Sequence, residues 1–141
     1  MKTLHTLTFL FLSVFTMNFA NAQSAEKILV KSFNLEGMNV VTFDVPGEVE
    51  VQQWNNPIMR VEMTIAIENV REATLKSLIK AGRYNLQSDA GDEEYAVSAP
   101  GMNRTVKISG QELRENLSYI VYAPEDVMIK LADSSSASIT Q

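Results

Sequence analysis

Residues 47–68 read GEVEVQQW, NNP, IMRVEMTIAIE: Gly47 to Trp54, then Asn55 to Pro57, then Ile58 to Glu68. From Arg60 onward the alternation is strict. Val61, Met63, Ile65 and Ile67 point one way, and Arg60, Glu62, Thr64 and Glu68 the other. Successive side chains of a strand face opposite sides of a sheet, so this pattern buries one face and wets the other. Val49 and Val51 begin the same pattern before Trp54, the single tryptophan, which sits where the first strand meets the turn. Pro57 has no N–H, so the second strand starts its ladder after it. The stretch predicts two strands of one sheet joined as a hairpin, or a corner at Trp54-Asn55-Asn56-Pro57 that passes the chain to another sheet.

The segments on either side extend the pattern. Ala25 to Asn34 holds Ile28, Val30 and Phe33, and Val40 to Val45 is rich in β-branched residues before the Pro46-Gly47 turn. After Glu68 the period changes. Leu75, Leu78 and Ile79 recur at helical spacing and predict a helix over 70–81, with Asn69 as N-cap, Glu72 in a capping box, a Glu72–Lys76 pair and Gly82 as the residue that ends it. Alternation returns in Arg83 to Ser88, through Tyr84 and Leu86, and in Glu93 to Ala99, with Asp89 to Asp92 as a loop between them. Val106 and Ile108 mark another strand. Leu117 to Ala123 is apolar on both faces, as a central strand is. Val127, Ile129 and Leu131 alternate once more, and the Ser/Ala/Thr-rich stretch 133–141 is expected to be a loosely ordered tail. Eight or nine short strands with one inserted helix predict a mostly β single domain over 23–132; no βαβ repeat supports a nucleotide-binding α/β fold.

The first 22 residues have the form of an export signal. Lys2 supplies the basic end, Leu7 to Phe15 the apolar run, and Ala20-Asn21-Ala22 the small-x-small cleavage pattern, leaving Gln23 as the expected mature N-terminus. The apolar run falls short of the roughly 20 residues of a membrane span. No stable span is expected after cleavage, and the chain is expected to be exported, to the periplasm or the cell surface. Cleavage takes one basic residue from the 12, leaving 11 Lys and Arg against 17 Asp and Glu. So acidic a chain, without a basic patch or stripe, does not suit nucleic acid.

Two absences exclude most familiar chemistry. There is no cysteine, so packing alone must hold the domain together, and the only histidine, His5, leaves with the signal. Ser-His-Asp hydrolysis, thiol nucleophiles and histidine-ligated zinc, copper or haem drop out. No cofactor is expected.

Four segments together resemble a known family. Val49 to Trp54, Arg60 to Met63, Gly82 to Leu86 and Tyr119 to Ile129 are similar to a strand pair, a glycine-ended connector, a Y-x-L strand and a late strand pair of the auto-transporter adhesin head-domain family, exported bacterial proteins. The resemblance covers about Lys31 to Ser138. It implies a β-solenoid-like or β-sandwich-like domain and an adhesin-like binding role, and it brings no catalytic residues. Members of that family continue into rungs of short Ser-, Gly- and Asn-rich strands. Here Asp133 to Thr140 begins to look like such a rung and the sequence then stops, so the chain resembles the opening module of a short member lacking the repeat array.

The residues that could carry function are few. Trp54, Tyr119 and Tyr122 are the candidate binding aromatics, with Tyr119 and Tyr122 on opposite faces of one strand. Asp89, Asp92 and Glu93 are the candidate calcium ligands, although their spacing matches no complete calcium loop. The expected function is a non-catalytic binding or structural module of the cell envelope, facing an envelope protein or a surface glycan. The alternatives are a hydrolase using carboxylates around Asp92 and a calcium-stabilised accessory protein.

Overall fold

The computed structural model describes residues 23–132 and 135–139; the expected signal peptide lies outside the described residues. Eleven strands and one helix are described. The large sheet contains β1 (Ser24–Phe33), β3 (Gly47–Trp54), β4 (Met59–Glu68), β9 (Glu115–Pro124) and β11 (Ser135–Ile139), in the order β1-β4-β9-β3-β11. The small sheet contains β2 (Val40–Asp44), β5 (Gln87–Ala90), β6 (Tyr95–Ser98) and β10 (Met128–Leu131), in the order β10-β2-β6-β5. The mostly β class with a single helix is as the sequence implies.

The opening stretch does form two strands, but they are not a hairpin. β9 lies between them, antiparallel to β4 and parallel to β3. Nor does the corner change sheets: it carries the chain over one strand position within the same sheet. The alternation of β4 has the predicted result. Met59, Val61, Met63, Ile65 and Ile67 are all buried to 1% or less, against Val41, Phe43 and Val97 of the facing sheet in one core. Interdigitation of two such apolar faces makes a two-layer domain.

The parallel pairings build a short solenoid. β2 leads through Val45-Pro46 into β3, crossing from the small sheet to the large one. β10 and β11 repeat this path: Met128 lies opposite Val40 and Ser135 opposite Gly47, an offset of 88 residues in both sheets. On the other side β6 lies parallel to β2 and β9 parallel to β3, at offsets of 54 and 70. The difference is an insertion between β6 and β9 that holds a 3-10 turn (Pro100–Asn103) and the hairpin β7 (Lys107–Ile108)–β8 (Gln111–Glu112). The middle coil, β2–β3, is thus flanked by a coil on each side.

Antiparallel strands close one end of this stack. β5 covers β6, β4 covers β9, and β1 covers β4 along its whole length. The helix α1 (Glu72–Lys80) packs against β1. Leu75 is its buried residue, with Leu78 and Ile79 half-buried beside it, as the spacing predicts. Its start is later than expected. Asn69 is not the N-cap: it has φ 60° and donates its amide to the Gln23 carbonyl at 2.7 Å. The β1–β4 ladder reaches Ser24–Glu68, and the chain must then reverse, which asparagine tolerates in the left-handed region. Arg71 takes the cap position without a side-chain bond. The C-terminal end is as expected: Gly82 at φ 80° donates to Ile79 and Arg83 to Leu78, the paired bonds of a Schellman motif.

Two further expectations are corrected. Within the stretch expected to be a loose tail, Ser135–Ile139 is a strand in parallel register with β3, and the rest of 133–141 lies outside the described residues. Tyr84 and Leu86 are buried but precede β5, and Asp89 and Ala90, expected in a loop, belong to that strand. β5 is an edge whose side chains are all exposed, so no apolar alternation marks it. Among the described residues no helix is long and apolar enough to cross a membrane.

Candidate functional site

Among the described residues, nothing covers the face of the large sheet turned away from the core. Register places its residues in rows. Ser32, Arg60, Tyr122 and Gln52 form one row across β1, β4, β9 and β3, and Val30, Glu62, Ile120 and Glu50 form the next. β9 is central, as its composition implies, but only Leu117, Tyr119, Val121 and Ala123 are buried in the core. Its other apolar residues, Ile120 and Tyr122, stand half-exposed on the open face. Val30 and Ile28 are 58% and 55% exposed on the edge strand β1, which β4 separates from β9.

Trp54 joins this face at the end of β3. It is half-buried, with its ring centroid 5.4 Å from that of Tyr122 and the planes tilted by 37°. The Arg60 guanidinium lies over both rings, 5.1 Å from Trp54 and 4.7 Å from Tyr122. One of its terminal nitrogens pairs with Glu62 at 2.7 Å. The Trp54 indole N–H donates to the Ile58 carbonyl at 3.1 Å, tying the ring to the corner that follows it. The arrangement is amphipathic: two aromatic rings, a stacked cation and an anion, with Ile120, Ser32 and Gln52 as neighbours on the same face. Trp54 and Tyr122 are therefore brought together. Tyr119 is not with them; it is 1% exposed in the core, with its hydroxyl directed at Met102 Sδ at 3.7 Å.

The acidic candidates do not converge. Asp89 lies exposed in β5 and Asp92 and Glu93 exposed in the β5–β6 connection, and among the described residues no three acidic or histidine side chains cluster as metal ligands would. Glu94 faces Lys130 at 3.9 Å instead. Asp92 lines neither of two grooves beside the β7–β8 hairpin. The larger, about 880 Å³, runs between Glu68-Asn69-Val70 and the hairpin, with Glu112 and Arg114 on its wall.

Sequence reasoning missed a part-buried polar network at the other groove, which Arg83 and Glu115 line. Glu115, at the start of β9, accepts from Arg83 Nε at 2.8 Å and from a terminal Arg83 nitrogen at 2.6 Å. Both side chains are only 9% exposed. Tyr84 donates its hydroxyl to the same carboxylate, and Arg83 also donates to the Arg104 carbonyl at 2.8 Å. The network ties the residues after α1 to the insertion and to the central strand. The only signal in the sequence is an Arg-Tyr pair after a helix-ending glycine and a lone glutamate before an apolar run, which does not pair them.

Burial first, and the Glu115 carboxylate second, push the phenols of Tyr84 and Tyr119 well above their ordinary value of 10.0. The folded state therefore holds both protons where an unfolded chain releases them. Their contribution to stability is complete below pH 10 and is lost as pH rises above it. Melting temperature is expected to be insensitive to these groups up to pH 10 and to fall beyond it. Replacing both by phenylalanine is expected to flatten that fall, as thermal melts across the alkaline range would reveal.

No family model matches the chain, so its resemblance to the adhesin head-domain family rests on the segments quoted above. No curated relative matches it either. Among solved structures it is similar to one from Clostridium sporogenes described as a "putative cell adhesion protein", with a TM-score of 0.39 and 10% identity. The match covers 75% of this chain and 45% of that one, so the chain spans less than half of that protein's length.

Proposed function

We propose that this chain is a non-catalytic binding module of the cell envelope, and that the open face of its large sheet is the surface that takes the partner. The carrying observation is the Trp54–Arg60–Tyr122 stack on that face, with Ile120 beside it and Val30 and Ile28 exposed on the edge strand of the same face. A sheet face that only meets water has no need of this composition. Tryptophan, tyrosine and arginine are the residues that dominate binding energy at protein interfaces, and uncovered apolar patches mark such surfaces.

The geometry favours a protein over a glycan. Sugar recognition by stacking needs a free ring face, whereas Arg60 already lies over both rings. The rest of the face mixes Ile120, Val30 and Ile28 with Ser32, Gln52, Glu50 and Glu62, the combination of apolar centre and polar surround found at protein contacts.

The test is crosslinking in the envelope from a photoreactive residue at Ile120, compared between the native chain and the Trp54→Ala, Tyr122→Ala double variant. A protein adduct that the native chain forms and a folded double variant loses supports the reading. Loss of at least tenfold in affinity for that protein is expected, since each aromatic anchor contributes roughly 1–2 kcal/mol or more. An adduct unchanged by the double substitution rules out this face, and binding to purified envelope glycan with no protein adduct replaces the partner class.

A further inference from the structure

The two ends of the coil stack are finished differently. At one end the sheet edges are β1 and β5. β1 carries Glu26, Lys27 and Lys31 and is packed by α1; β5, four residues long like β10, has the polar sequence QSDA with every side chain exposed. Charged and polar edge residues and a covering helix are among the means by which proteins keep sheet edges from pairing with other chains. At the other end the edges are β10 and β11. Their sequences, MIKL and SSASI, hold one charge between them, Lys130. Among the described residues no strand pairs with the outer side of either.

Three observations make this end fit for pairing. Met128 donates its amide to Asn39 and Ala132 to Phe43, so the alternate amides of Ile129 and Leu131 point to the free edge. Ile129 and Leu131 lie against the core but are only half-buried, and Met128 is 61% exposed, so the apolar interior is open at this coil. The common offset of 88 residues makes β10 and β11 parts of one coil, so both sheets present their free edges at the same end.

We propose that this end docks onto the same end of a second copy, by a two-fold axis normal to both sheets. Rotation by half a turn about that axis sets β10 against β10 and β11 against β11, antiparallel, and each sheet continues from one copy into the next. The surface is thus complementary to itself, as a two-fold interface must be. Pairing centred on Ile129 exchanges its outward N–H and C=O with those of Ile129 in the second copy. It also puts Met128 opposite Lys130 of the second copy and keeps the two lysines apart. The half-buried Ile129 and Leu131 are then covered from both sides. Two short strand pairs make a small interface, so the dimer is weak and concentration-dependent.

Sedimentation of the full chain over a range from micromolar to near-millimolar concentration tests this, with Met128→Lys and Met128→Glu beside it. The native chain is expected to pass from monomer to dimer and no further. Met128→Lys faces Lys130 across the axis twice, and weakens the dimer about tenfold; Met128→Glu retains or tightens it. Exchange of the Ile129 and Leu131 amides slows on association. A monomer at every concentration overturns the proposal, as does a dimer indifferent to both substitutions. Species that grow beyond the dimer overturn the closed two-fold pairing. Position 128 is exposed, so both variants keep the fold, which circular dichroism checks.

Discussion

Glu115→Ala is expected to cost about 3 kcal/mol of folding stability, the low end of the range for removing one partner of a buried ion pair, because this pair is part-buried at a groove. The carboxylate takes both prongs of the Arg83 guanidinium and the Tyr84 hydroxyl. Its removal leaves a cation only 9% exposed without a counter-charge, and the Tyr84 hydroxyl without an acceptor. The bonds from Arg83 to the Gly101 and Arg104 carbonyls remain, but neutral acceptors do not offset the lost charge. Glu115→Gln is expected to fall between the native chain and the alanine variant, because the amide keeps one acceptor and loses the charge. The informative partner is Arg83→Met combined with Glu115→Leu. Replacing a buried pair by apolar side chains of similar volume is often close to neutral, so the double variant is expected to recover most of the loss. Urea unfolding of the four proteins measures this. A cost below about 1 kcal/mol for Glu115→Ala would place the pair with solvated surface bridges.

That network marks the boundary of what the sequence discloses. The alternation of Arg60 to Glu68 is legible because period and burial are local properties, and Val61, Met63, Ile65 and Ile67 are buried where it predicts. The apolar character of β9 identifies a central strand for the same reason. Its neighbours are another matter: β9 lies between β3 and β4, which adjoin in sequence, and nothing local to Gly47–Glu68 records that the turn must span an inserted strand. The partnership of Arg83 with Glu115, 32 residues apart, is likewise set by how the insertion folds back. Local competition explains Asn69, where a capping preference gave way to the chain reversal required by the β1–β4 ladder. For the site, Trp54 and Tyr122 were legible as aromatics on strands, but their approach, and Arg60 over them, follows from the cross-strand register of Arg60 with Tyr122. Tyr119 shows the other side of the same rule. Three residues from Tyr122 on one strand, it faces the core.

Gly47→Ala is expected to destabilise the domain by about 3–5 kcal/mol, from two sources that a second glycine separates. Gly47 has φ 114°, a backbone region that side chains with a Cβ rarely adopt, and strain of that kind costs about 1–3 kcal/mol. A Cβ there would also lie 2.3 Å from the Leu117 carbonyl oxygen. That oxygen belongs to the central strand, fixed between β3 and β4, so it cannot withdraw without opening the β3–β9 ladder beginning at Glu48–Ser118. Forced overpacking of this kind adds about 1–3 kcal/mol. Gly37, at φ 84°, carries the first burden alone, because nothing lies within 4 Å of the position its Cβ would take. Gly37→Ala is therefore expected to cost about 1–2 kcal/mol, the left-handed penalty alone. The excess at Gly47 reports how closely the middle coil is pressed against β9. Equal losses for the two variants in urea unfolding would mean that the ladder yields freely at its start, and that the coils are not held in the register that aligns both sheets.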